Sequence, residues 1–204
     1  MSLPVTIYAE STPNPSAMKF VCNMLLMEDG VVEYNSQAET ASCPLAAQLF
    51  AFSGVKGVFI TANFITITKA PEIDWYEITG ILREFIRGFL ASGEKIFSSN
   101  PFAEKVKDHV YPDKDAMVVS ETSDAENSVI EKQIIQMLDE YVKPAVEQDG
   151  GAIHFKSFKS GVVTVALKGS CSGCPSSTVT LKSGIENLLK QLVPQVTEVV
   201  AEAE

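Results

Sequence analysis

Between residues 169 and 177 the chain reads Gly169-Ser170-Cys171-Ser172-Gly173-Cys174-Pro175-Ser176-Ser177, with a strand-like run before it and a helix-like run after it. Two residues between cysteines let both sulfurs face one ion across a tight turn. Ser172 and Gly173 supply that turn, because glycine tolerates positive φ and lets backbone approach an inorganic sulfide. Pro175 suits the first turn of a helix. Free N–H groups and the dipole at a helix N-terminus favour anions by about 0.3–1 kcal/mol in exposed settings, and the same field favours thiolate. A tetrahedral zinc site or an iron–sulfur cluster wants four ligands, and no third cysteine lies near this pair. The missing half must come from elsewhere, most simply from a second copy of the chain. The pair therefore predicts a shared, exposed metal centre of the kind a carrier would use.

Two other readings fit the same residues. A C-x-x-C between strand and helix is also the local arrangement of thioredoxin-like dithiol redox proteins, and a zinc-bridged structural dimer uses the same ligand count. The C-terminal part has too few strands for a thioredoxin-like fold, and its upstream unit is a hairpin. These residues favour metal over redox chemistry while leaving both open.

A chain of 204 residues is long enough for one large domain or two small ones. Its 26 acidic against 16 basic residues give a net charge of −10. That argues against nucleic acid, whose phosphates call for clustered Lys and Arg. No run of about 18 apolar residues is present, so no membrane span is expected. The start, Met1-Ser2-Leu3-Pro4-Val5-Thr6, resembles neither a secretory signal nor an Arg-rich transit peptide, so a cytoplasmic protein is expected. Four cysteines make no disulfide framework.

The fold class expected is α+β, as two small domains. The first spans 1–112. In it, Val5–Ala9 and Met18–Met24 are strand candidates, with Met18, Phe20, Cys22 and Met24 on one face. Pro44–Phe52 reads as a short helix and Val55–Lys69 as a hairpin. The clearest helix is Trp75–Leu90, with Trp75, Ile78, Leu82, Phe85, Ile86 and Phe89 on one stripe. Asn100-Pro101 suits another helix start. Residues 113–127 form an acidic linker, interrupted by Met117-Val118-Val119. As a flexible coil it would span roughly 20 Å. The second domain, 128–204, reads α-β-β-α-β. Ile130, Ile134, Met137, Leu138, Tyr141 and Val142 form its first stripe, and Val179, Ile185, Leu188, Leu189 and Leu192 its second. Asp149-Gly150-Gly151 reads as a turn.

The remaining candidates carry less chemistry. Cys22 shares an apolar strand face, so it reads as core. Cys43 opens a helix beside Pro44 and is expected in an exposed cap region. His109 and His154 show no ligand spacing to a cysteine. There is no phosphate loop and no usable Ser/His/Asp arrangement, so no catalytic residue is assigned.

Asp149-Gly150-Gly151, the string Gly169–Thr178 and Leu181-Lys182-Ser183-Gly184-Ile185-Glu186 together resemble the NifU C-terminal (Nfu) domain. Thr12-Pro13-Asn14-Pro15, Met18-Lys19-Phe20, Pro44-Leu45-Ala46, Gly54–Phe59 and Phe64–Lys69 resemble the Nfu N-terminal domain. One departure is Cys43, because serine usually precedes Pro-Leu-Ala in that pattern. The resemblance covers all but the acidic linker, and it is to an Nfu-type iron–sulfur cluster carrier. It implies a homodimer bridging a [4Fe–4S] cluster through Cys171 and Cys174 of each subunit, with a [2Fe–2S] form possible on the same ligands. It also implies a scaffold protein as donor and apo iron–sulfur enzymes as acceptors. For localisation it adds the mitochondrial matrix, for a processed form, as the alternative to the cytoplasm.

Overall fold

The computed structural model describes residues 4–99, 122–172 and 175–203. Cys174, Gly173, His109, Asn100-Pro101 and Met117-Val118-Val119 lie outside the described residues, as does the linker up to residue 121.

In the N-terminal part five strands form one antiparallel sheet in the order β1-β2-β5-β4-β3: β1 Ile7–Ser11, β2 Ala17–Cys22, β3 Val32–Tyr34, β4 Val55–Ile60 and β5 Phe64–Lys69. The expected Val55–Lys69 hairpin is β4–β5. Helices α1 (Pro44–Leu49) and α2 (Trp75–Ser92) and a 3-10 turn at Gln37–Ser42 accompany the sheet among the described residues. The Asp74 carboxylate accepts from Tyr76 N–H at 2.9 Å to start α2, and Gly93, at φ 77°, ends it in the left-handed conformation. Phe20, Leu45, Leu49, Ile65, Ile67, Leu82 and Ile86 are fully enclosed in the first core. Met24, which falls just past the end of β2, is exposed.

Strict alternation fails on this sheet. Phe20 and Cys22 are buried against the helices, but Lys19, on the opposite face of the strand, is also buried. Residues paired across strands share a face. Lys19 pairs with Thr66, Thr66 with Phe59 and Phe59 with Glu33, so one row crosses four strands on the side away from the helices. That side is covered by the C-terminal part, where Phe59 and Phe64 pack against Ala152.

The C-terminal part runs α3 (Thr122–Met137), one π turn (Leu138–Val142), α4 (Lys143–Gln148), β6 (Gly151–Lys159), β7 (Val162–Gly169), α5 (Pro175–Leu192) and β8 (Glu198–Ala203). The backbone of residues 122–127, which the sequence assigned to the linker, is the first part of α3. Strands β6 and β7 form the expected hairpin. Ser160 and Gly161 both have positive φ, as a two-residue turn matched to strand twist requires. Strand β8 pairs parallel to β7, so the cysteine loop opens a β7–α5–β8 crossover.

Ile134, Leu138, Val142 and Val146 are buried, each four residues from the last, while Tyr141, expected on this stripe, is exposed. The π turn explains the shift, since it takes more than 3.6 residues to come round. Along α5, Ile185 and Leu189 enter the core with Val193 just beyond, whereas Val179 and Leu192 are exposed.

Candidate metal centre

Two short segments build the setting of Cys171. Asp149-Gly150-Gly151 leads from α4 into β6, and Gly169-Ser170-Cys171-Ser172 leaves β7. The sequence assigned the first only a turn, but backbone and side chains tie the two together. The Gly150 carbonyl accepts from Ser170 N–H at 3.2 Å, and the Asp149 carbonyl accepts from the Ser170 hydroxyl. Ser172 donates its hydroxyl back to the Gly169 carbonyl at 2.8 Å, which closes the turn before the second cysteine.

Glycine is required at two of these positions for different reasons. Gly169 has φ 68°, and a Cβ there would lie 2.7 Å from the Gly150 carbonyl oxygen. At Gly151 a Cβ would lie 2.7 Å from both Cys171 Sγ and the Lys168 carbonyl oxygen. The thiol therefore rests in the space a side chain would fill. This close approach is the signal in the Asp-Gly-Gly string that a turn reading passes over.

Cys171 is buried, 6% exposed, as a member of the second core. In this single chain Cys171 itself is therefore not exposed, in contrast to the exposed centre expected from the sequence, and Pro13 and Asn14 of the β1–β2 turn lie beside the loop. The Asn14 side-chain amide donates to the Ser170 carbonyl at 3.0 Å. A cavity of about 380 Å³ lies between them, with Pro13 and Asn14 on one side and Asp149, Ser170, Cys171 and Leu181 on the other.

Two further described cysteines lie elsewhere. Cys22 and Cys43 both belong to the first core. Cys43 is fully buried and makes no side-chain cap to α1, which corrects the exposed cap position expected for it. His154 lies on β6 opposite Ala166. Among the described residues no three His, Cys, Asp or Glu side chains are grouped as a metal site. Burial pushes the Cys22 thiol up to about 12, and burial also raises Cys43, against weaker hydrogen bonds from Ala46, Tyr34 and Leu45. Thiolate is the nucleophile, so at pH 8 both should resist iodoacetamide in the folded protein and react only after denaturation. Mass spectrometry of the alkylated peptides checks this. Both thiols hold their protons to higher pH than in the unfolded chain. This contribution to stability is therefore complete below the ordinary thiol range and is lost as pH rises above it, for Cys22 toward about 12.

Two α+β units make up the described chain, and the second presents Cys171 at the entry to a β-α-β crossover. Residues 7–93 match the family described as scaffold protein Nfu/NifU N terminal, and residues 134–200 match the NifU-like domain. The chain is 34% identical over 191 residues to the human NFU1 iron-sulfur cluster scaffold homolog, mitochondrial, covering 93% of this chain and 69% of that protein. It is 34% identical over 198 residues to NifU-like protein 5, mitochondrial, of Arabidopsis thaliana, covering 96% and 67%. A solution structure of a NifU-like protein from Saccharomyces cerevisiae shares 27% identity over 49% of this chain and 91% of that one, with a TM-score of 0.42. The chain belongs to the Nfu/NifU family.

Proposed function

We propose that this protein is an iron–sulfur cluster carrier, not an enzyme. Two copies hold one [4Fe–4S] cluster through Cys171 and Cys174 of each, and pass it to apo-proteins. The observation that carries this reading is the isolation of Cys171. It lies in a loop shaped around its sulfur, while Cys22 and Cys43 are shut in a different core. Two thiolates per chain leave a four-thiolate cluster half ligated, so the second pair comes from a twin. The names of the relatives support the inorganic cargo and speak for a mitochondrial setting over the cytoplasmic one expected from the N-terminal residues.

The residues present fit such a cargo. Sulfur is a ligand for iron–sulfur clusters. Gly151 leaves backbone close to the sulfur with no side chain between. α5 begins at Pro175, directly after the cysteine pair, so its N-terminal dipole favours an anionic, thiolate-ligated group. A cluster shared this way belongs to neither subunit. Parting the dimer removes half its ligands at once, and an apo-protein with a complete cysteine set takes it downhill. Loading also depends on protein concentration, as for any ligand linked to dimerisation.

Anaerobic reconstitution with iron and sulfide tests this directly. About four irons and four sulfides per dimer are expected, from four-thiolate ligation, with a shift from monomer to dimer on gel filtration. One zinc per dimer without sulfide would replace the carrier with a structural zinc site. Rapid turnover of a disulfide substrate by the monomer would replace it with a dithiol oxidoreductase.

A further inference from the structure

Polar contacts from the N-terminal sheet face and the β1–β2 turn reach the cysteine loop and the segment beside it. The Lys19 ammonium donates to the Glu147 and Gln148 carbonyls at 3.1 and 3.2 Å, capping the end of α4. Thr66 donates its hydroxyl to the Gly150 carbonyl at 2.7 Å. The Glu33 carboxylate accepts from Gly169 N–H at 3.1 Å and from the Ser172 hydroxyl at 3.3 Å. Asn14, held by Ser16 N–H on its own side-chain oxygen, reaches the Ser170 carbonyl. Lys19, Thr66 and Glu33 lie in the one row that crosses the sheet.

We propose that the outer face of the N-terminal sheet is a built-in cover for the cysteine loop, and that it must lift before Cys171 can share a cluster with a second copy of the chain. This rests on the carrier reading above. Three features make it a cover and not a fixed part of the core. The two large cores are each confined to one part of the chain, and the cluster between them has only Phe59, Phe64 and Ala152 buried. Small, polar contacts between domains permit relative motion by default. Second, Pro13 and Asn14 line the cavity beside Cys171, which is 6% exposed, whereas a bridging ligand must be reachable from outside. Third, the Glu33 carboxylate engages the hydroxyl of Ser172, the residue directly after Cys171. An iron–sulfur cluster held by four thiolates is net negative, so carboxylate and cluster repel each other and compete for the same loop N–H groups. Cluster loading and cover closure then oppose each other, and the cover shields the apo thiol until a twin is engaged.

The test uses iron-free, full-length protein. Iodoacetamide modification of Cys171 is followed by mass spectrometry with fragment ions that separate it from Cys174. In Asn14→Ala/Glu33→Ala, Cys171 should react about tenfold faster than in the wild type, with Cys22 and Cys43 unchanged. If that variant unfolds, so that Cys22 and Cys43 also react, the readout passes to Lys19→Met. This keeps the length of the side chain but removes the ammonium from the α4 carbonyls, and it should accelerate Cys171 alone. Equal Cys171 rates in wild type and folded variants overturn the cover. Because no iron is present, failure to load a cluster would sink the carrier reading without touching this result.

Discussion

Cys171→Ser should abolish cluster loading while leaving the apo-protein folded. With one thiolate per chain the dimer offers two ligands where a four-iron cluster wants four. The expected outcome is iron content below about a tenth of wild type on reconstitution, on this loss of half the ligands, and no shift to a dimer. The fold does not depend on that sulfur. Two apolar cores organise the chain, and Cys171 is one small member of the second. Exchanging the sulfur for a hydroxyl of similar size buries one polar group, at about 1–3 kcal/mol, which is too little to unfold the chain, so far-ultraviolet circular dichroism should be unchanged. Metal removal from the wild type should be equally harmless to the fold, unlike a zinc finger, whose folding free energy is its metal binding. Full loading by Cys171→Ser, or loss of native dichroism on chelation, would each contradict this.

Much of this architecture was legible in the residues because local signals agreed with tertiary packing. Helix α2 carries its cap, its stripe and its terminating glycine in plain order, and its buried face is the one the 3.6-residue period picks out. The β4–β5 and β6–β7 hairpins follow from β-branched runs around short turns. What was not legible is where two parts of the chain meet. Lys19 reads as the solvent side of an alternating strand, yet it is buried because α4 supplies two carbonyls for its ammonium. Glu33 and Asn14 look like surface polar residues for the same reason. Period alone cannot tell a solvated sheet face from one docked on another unit. The π turn shifted Tyr141 out of the core by a mechanism no hydrophobic period encodes. At the site, the cysteine spacing announced itself, but the role of Gly151 did not, since a glycine needed for close approach looks like one needed for a turn.

Replacing that glycine should damage both stability and loading. In Gly151→Ala the new methyl would meet Cys171 Sγ and the Lys168 carbonyl at 2.7 Å each, and Cys171 Cβ at 3.2 Å. The Lys168 carbonyl lies on β7 and cannot swing aside, because β6 and β7 are paired through this point, Gly151 with Gly169. Relief must come from parting the strand ends or expelling the thiol. Overpacking of this kind costs about 1–3 kcal/mol. The displaced sulfur would no longer share a turn with its neighbour, so iron loading should fall several-fold as well. Gly184→Ala, in the same part of the chain, is the contrasting case. A Cβ there meets nothing within 4 Å, and the residue sits inside α5. Removing glycine from a helix interior stabilises by roughly 0.5–1 kcal/mol, so this variant should gain stability and load normally. Urea unfolding read against iron content separates the two. If Gly151→Ala matched Gly184→Ala in both measurements, the close seat of Cys171 against β6 would be wrong.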